Sequence, residues 1–285
     1  MGDRFSRSLA LAKESIAVLR RTPSLMWFPV ISGIVTLVLT ISFFIPLYII
    51  TGGKDLEKVN PAVGYPVMAL FYFVSYFIVI FFNAGLVSCA HDSLHGRDTS
   101  FGHGFQNAMR HLPAILGWTL IASTVGMILQ MIAERSGIIG RIVVALLGAA
   151  WNIITYFVVP ILVVEQGSPV AAVKKSGGML KRTWGENLIG NGGIGFVLVF
   201  AALVPVLPMV IAFAVAPVAG LVLLAISILY WLALGIAGAA MQGVYQTALY
   251  VYAETGTTPS GFSPEYISGA FTVKEPGMLD KLRRR

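Results

Sequence analysis

The sequence predicts an all-α, polytopic membrane protein. Six transmembrane helices are expected, as three parallel repeats of an interfacial amphipathic helix plus a transmembrane hairpin. Three observations lead there. Of 285 residues, 56% are hydrophobic and only 12% are charged. That is about half the charged fraction of a soluble domain, too little to cover a water-exposed surface, and the mean hydropathy of +0.81 agrees. Charge-free stretches are long enough to cross a bilayer. A short basic block occurs more than once. A soluble enzyme is excluded by composition.

The spans follow from the bilayer. Its hydrocarbon core is about 30 Å thick, so a spanning helix needs roughly 20 apolar residues. Stretches free of Asp, Glu, Lys and Arg cover 22–53, 59–91, 111–133, 142–164 and 187–253. The last is too long for one span, and Pro205, Pro208 and Pro217 punctuate it, with the turn expected in "APVAG" at 216–220. This predicts helices near 26–50, 66–91, 113–133, 139–164, 189–214 and 218–252. The runs are continuous rather than alternating, which favours helices over a β-barrel. They form one transmembrane domain over 1–253, with repeat units 3–91, 99–165 and 168–253. A cytoplasmic tail over 254–285 follows, read as a loop, one short helix and a frayed basic end.

Orientation follows from the basic residues flanking the spans. With the N-terminus inside, 16 of the 20 Lys and Arg residues fall on inner segments and only Lys54, Lys58, Arg135 and Arg141 on outer loops. Both termini are therefore expected in the cytoplasm, in a prokaryotic inner or plasma membrane. No cleavable signal peptide is evident, so the first span is expected to stay as an anchor. The single cysteine, Cys89, excludes an internal disulfide framework. The net charge of +7 sits mainly on the inner face and suits anionic headgroups. No compact basic domain is present to bind nucleic acid.

Residues 3–21 read as an amphipathic helix. Phe5, Leu9, Ala12, Ile16 and Leu19 recur at helical spacing, and Arg4, Arg7, Lys13, Arg20 and Arg21 fill the remainder. Pro23 stops it. "AKESIAVLRRTP" at 12–23 aligns without gaps on "VKKSGGMLKRTW" at 173–184, with Lys13/Lys174, Ser15/Ser176, Leu19/Leu180, Arg21/Arg182 and Thr22/Thr183 identical. A fainter copy, "GHGFQNAMRHLP" at 102–113, keeps Arg110 and Pro113. Each block precedes two spans. The candidate headgroup- or partner-binding residues are thus Arg20, Arg21, Arg110, Lys174, Lys175, Lys181 and Arg182.

Six spans, "GRDTSFGHGFQNAMRHLPAILGW" after the second, and "VVPILVVEQGSPVAAVKKSGGMLKRTWGEN" resemble an uncharacterised family of bacterial and archaeal integral membrane proteins. More distantly they are similar to the membrane domain fused to some glycerophosphodiester phosphodiesterases. The shared features are Pro160 and Glu165 closing a span, then a helix with Ser176, Leu180 and Trp184. The resemblance covers nearly the whole chain and implies a fold, with no activity to carry over. The phosphodiesterase catalytic domain is not expected here.

The remaining polar residues are few. His91, His95, His103 and His111 cluster on the inner side, and His91, His95 and Asp92 are the candidate ligands for a divalent metal. "HDSLH" lacks the glutamate of a protease HExxH motif, so surface histidines are preferred, and no metal or cofactor is expected. "GNGGIG" at 190–195 matches a dinucleotide fingerprint only literally, since no strand precedes it. Close helix approach explains it, as it does Gly235, Ala239 and Gly243 in the last span. Asn83, Gln130, Asn152, Asn191, Gln242 and Gln246 are the amides within spans. They serve helix packing or a polar path, with Gln242 and Gln246 on one face. Glu165 and Glu186 are expected to pair with nearby lysines and arginines.

No ionisable residue lies well inside a span, which counts against an ion-coupled transporter. The expected function is therefore a non-enzymatic membrane protein. It would interact with anionic membrane lipids, or act as a scaffold docking a protein partner or a second copy at the cytoplasmic face, without nucleic acid. A small-solute or lipid permease is the alternative. A lipid-modifying enzyme using the His91 region ranks third.

Overall fold

A computed structural model describes residues 2–51, 61–183, 193–265 and 267, and all regular structure among them is helical. The helices are α1 (Gly2–Arg21), α2 (Trp27–Thr51), α3 (Pro61–Leu94), α4 (Phe101–Arg110), α5 (Leu112–Arg135), α6 (Ile138–Ile154), α7 (Val158–Val164), α8 (Pro169–Thr183), α9 (Gly193–Leu203), α10 (Val206–Val215) and α11 (Pro217–Thr255). A 3₁₀ turn at Pro23–Met26 joins α1 to α2. Six stretches are long and apolar enough to span a membrane: Pro23–Ile50, Gly64–Leu94, Leu112–Arg135, Ile138–Val164, Val197–Val215 and Pro217–Thr255. Their ends match the expected spans closely, except that 189–192 lies outside the described residues. The turn before the last span falls at Ala216, extended at φ −149° and ψ 104°.

Two spans are broken where continuous helices were expected, and proline explains both. Proline lacks an N–H and its ring clashes with the carbonyl four residues back. Pro160 does not close the fourth span but breaks it upstream, between α6 and α7. There Tyr156 N–H bonds Ile153 O in a tight turn, and the Phe157 N–H turns to the Ser176 hydroxyl at 3.1 Å. Pro205 breaks the fifth span between α9 and α10. The Tyr230 hydroxyl donates to Ala201 O at 2.8 Å, and the Trp231 indole N–H donates to Ala202 O at 2.9 Å. Side chains of α11 thus satisfy carbonyls at a break in apolar surroundings, where water is absent.

The chain forms two compact units. The first to describe comprises Ser24–Cys89 and Thr99–Gly177. Its buried residues gather at one end of the helices. They are Leu25 and Phe28 at the start of the first span, Ile78 to Cys89 late in α3, Ile115 to Ser123 early in α5, and Phe157 to Val163. Beyond them, residues such as Ile45, Ile50, Ile132 and Leu146 are exposed. In a bilayer those side chains face lipid, which is as apolar as they are. Helix α4 lies tightly on α3. A Cβ on Gly104 would fall 2.4 Å from Cys89 Sγ and 2.5 Å from the Gly85 carbonyl oxygen. Asn107 Nδ2 donates to Ser88 Oγ at 2.7 Å, and the Phe28 and Phe101 rings stand 4.7 Å apart.

The second unit comprises the described parts of Met1–Pro23, Ala90–Asp98 and Gly178–Arg285. Helix α1 packs on α9 and on α11, whose buried stretch runs from Gly238 to Val251 at its C-terminal end. Helix α11 meets α9 at Gly238, where a Cβ would lie 2.8 Å from Leu198 Cδ1. Gly238 adjoins the expected ridge of Gly235, Ala239 and Gly243, of which Gly243 is also buried. Gly256 caps α11 in the left-handed conformation at φ 71°. The following chain packs back. Ser263 N–H donates to Glu14 Oε1 at 3.1 Å, Ser260 N–H to Leu94 O at 3.1 Å, and Phe262 and Ile267 are buried. The tail turns helical at Pro264, and residues 268–285, with Lys274 and Lys281, lie outside the described residues.

The buried face of α1 differs from the expected stripe. Leu11, Ala12, Ser15, Val18 and Leu19 are buried, whereas Ile16 is 37% exposed. An apolar count skips serine, yet Ser15 is small enough to sit at a close contact. The side chain of Phe5 lies outside the described residues. Helix α8 buries Ala172, Ser176, Met179 and Leu180. These fall opposite Leu11, Ser15, Val18 and Leu19 in the alignment.

Candidate functional site

Three short helices carry basic residues away from their buried sides. On α1, Arg20 and Arg21 are exposed beyond buried Val18 and Leu19; on α8, Lys174 and Lys181 are exposed beside buried Ala172 and Leu180. The side chains of Arg4, Arg7 and Arg182 lie outside the described residues, as do Trp184, Glu186, Asn191, Lys54 and Lys58. Lys175 is held differently: its ammonium donates to Glu165 Oε2 at 2.6 Å, so that lysine is committed to the loop after α7. The Ser168 hydroxyl accepts from the Ala171 N–H and caps α8.

The basic residue of the third short helix, Arg110, sits in a different setting. It ends α4, is exposed, and lines a cavity of about 400 Å³ with Asn107, His111, Pro113, Ala114 and Gln166. His111 joins α4 to α5 and is only 9% exposed. Its Nδ1 donates to the Asn107 carbonyl oxygen at 2.8 Å, which leaves Nε2 on the opposite edge of the ring. Among the described residues no hydrogen bond reaches that Nε2. Gln166 has φ 57°, the left-handed region that side chains other than glycine enter at a cost. Pro113 and Ala114 belong to the first turn of α5, whose peptide dipoles favour negative charge. The lining has one guanidinium, an imidazole, two amides and no carboxylate.

His91, His95 and Asp92 come together with Arg97. Arg97 Nε donates to Asp92 Oδ1 at 2.9 Å, and its Nη2 approaches both that oxygen and His91 Nδ1. His95 Nδ1 donates to the His91 carbonyl oxygen at 2.7 Å, and the rings stand 4.3 Å apart. The guanidinium thus bridges the Asp92 carboxylate and the His91 ring. Among the described residues no three His, Cys, Asp or Glu side chains gather at metal-ligand distance. His103 is exposed on α4.

The span amides do not converge. Asn83 is half-buried on α3, Asn152 is exposed on α6, and Gln130 donates to Glu134 at 3.0 Å. Gln242 is exposed and Gln246 half-buried on α11, each with a partner. Several span hydroxyls turn inward on their own helices, while Thr36 Oγ1 and Ser75 Oγ are buried without a hydrogen-bond partner among the described residues. Thr40 donates to Thr36 O, Thr119 to Ile115 O, Thr155 to Trp151 O, Ser227 to Leu223 O and Thr247 to Gly243 O. This i−4 pattern satisfies the donor locally.

Sequence reading singled out Arg110 but missed Asn107 and Gln166 beside it. The available signal was a basic residue and a histidine three and two residues before the proline that opens a span. No curated protein matches the chain. Residues 62–262 match a family of unknown function, DUF6159, and the chain belongs to that family.

Proposed function

We propose that the protein is a non-enzymatic, multi-pass component of a prokaryotic cell membrane. It associates with anionic lipid, and docks a protein partner or a second copy, through short basic helices at the cytoplasmic face. The observation that carries this is the two-sidedness of α1 and α8, with arginines and lysines exposed beyond small and apolar residues that are buried. The equivalent burial of Leu11/Ala172, Ser15/Ser176, Val18/Met179 and Leu19/Leu180 supports an internal repeat of helix plus hairpin. Helix α4 with Ser88, α8 with Phe157 and α1 with α11 add to it, since each short helix meets a hairpin's second span. The locally bonded span hydroxyls favour this reading over a permease.

Basic residues near an anionic leaflet contribute about 1 kcal/mol each, falling off within a Debye length. Replacing Arg20, Arg21, Lys181 and Arg182 by glutamine should therefore weaken association with phosphatidylglycerol liposomes at low salt and change little at high salt. Membrane insertion should persist, because span burial far exceeds this term. Equal binding by variant and wild type at low salt would overturn the lipid-facing role.

A further inference from the structure

We propose that the cavity between the end of α4, the start of α5 and the loop after α7 is a phosphate-binding site. It takes one phosphate group, carried by a lipid headgroup or free in solution, with Arg110 as its cationic anchor. This rests on the reading above only in placing that end of the spans at headgroup depth.

Four features of the cavity point to phosphate. The first is charge. Arg110 lines the cavity, and no carboxylate does. Among the described residues Arg110 makes no ion pair, whereas the neighbouring lysine, Lys175, is held by Glu165. A guanidinium presents two parallel N–H donors that match two phosphate oxygens. The second is the histidine. A ring that is nine-tenths buried, with Nδ1 fixed on the Asn107 carbonyl and Nε2 unpartnered in the lining, has one position left for a ligand. A phosphate oxygen or its P–OH supplies the matching acceptor or donor.

The third feature is Gln166. A left-handed glutamine is strained, and strain of this kind persists where surrounding structure or function holds it. Here the conformation leaves the residue on the cavity wall, in a separate segment from Arg110. The fourth is size. About 400 Å³ holds a phosphate with part of a headgroup and leaves room for water, but is small for a folded peptide. Asn107 is itself positioned, because its Nδ2 donates to Ser88 Oγ at 2.7 Å. The dipole of the 24-residue α5 adds to these groups.

The test uses the full chain in phosphatidylcholine nanodiscs, with calorimetric titration of dihexanoyl phosphatidic acid and, separately, of inorganic phosphate. Saturable binding of about one equivalent is expected for the lipid. Arg110→Gln should weaken it about tenfold, the loss of a charge-assisted hydrogen-bond pair. Gln166→Gly should weaken binding several-fold while leaving the protein as stable or more stable, since it relieves the left-handed strain. That split between affinity and stability is not expected from a merely structural residue. Binding of the lipid alone assigns the site to a headgroup, and equal binding of inorganic phosphate assigns it to the free ion; either supports the proposal. Failure of both ligands to bind, or wild-type affinity in Arg110→Gln and Gln166→Gly, overturns it. The Arg20, Arg21, Lys181, Arg182 variant should keep this single site intact, so loss of liposome adsorption and loss of the site are separable results.

Discussion

The Ser176 hydroxyl accepts a hydrogen bond from the Phe157 backbone N–H at 3.1 Å, and both residues are fully buried. The donor exists because the fourth span breaks ahead of Pro160. One side chain on α8 therefore holds together a span that proline interrupts. Ser176→Ala should remove this acceptor from a buried site. A loss of about 1–3 kcal/mol is expected, read as a lowered unfolding midpoint in detergent. An unchanged midpoint would mean that the hydrogen bond contributes nothing.

Gly104 sits where α4 meets α3. A Cβ there meets a carbonyl oxygen at 2.5 Å, and backbone cannot rotate away as a side chain can. Gly104→Ala should destabilise by about 1–3 kcal/mol, and adding Cys89→Ala should not restore the loss. Gly33 is the control, with nothing within 4 Å of a built Cβ. Gly33→Ala, within a helix, should be neutral or stabilising by up to about 1 kcal/mol. Thermal unfolding of the two variants side by side checks the contrast.

Glu14 and Ser263 join the two ends of the described chain. Glu14→Ala removes the acceptor for the Ser263 N–H, and should loosen residues 256–267 from α1. Faster cleavage between Thr257 and Glu265 by a broad-specificity protease, with the spans untouched, is the expected outcome. Protection equal to wild type would show that Phe262 and Ile267 alone hold the segment.

The distribution of basic residues predicts the sidedness of the chain. In intact cells, Gly137→Cys between α5 and α6 should react with a membrane-impermeant maleimide, and Gly178→Cys on α8 should not. Both positions are exposed, and native Cys89 is buried, so the background is low. The opposite labelling pattern would invert the assignment.

The spans were legible because composition decides them: nothing but lipid accommodates runs such as 22–53. The breaks were less legible. Pro160 announces itself in the sequence, but its effect appears three to five residues upstream, where the carbonyl it would clash with lies. Ser15 was passed over because periodicity arguments count apolar residues, whereas close helix contacts select small ones. The cavity was not legible. Asn107, Arg110 and His111 come from one segment and Gln166 from another, and no spacing rule links them.

The concentration of buried side chains at one end of the helices has a mechanical consequence. In each unit, interdigitated residues such as Phe28, Val87 and Ile115, or Val244 and Leu249, resist deformation. The far ends, around Ile50, Ile138 and Val215, are bounded by whatever surrounds them. Each such unit is stiff at one end of its helices and compliant at the other. Acyl-chain length would then set the spacing of the compliant ends, while the stiff ends hold theirs. Spin-label distances between exposed far-end positions within one unit, such as Ile45 and Leu146, should change between thin and thick bilayers. Distances between near-end positions should stay fixed.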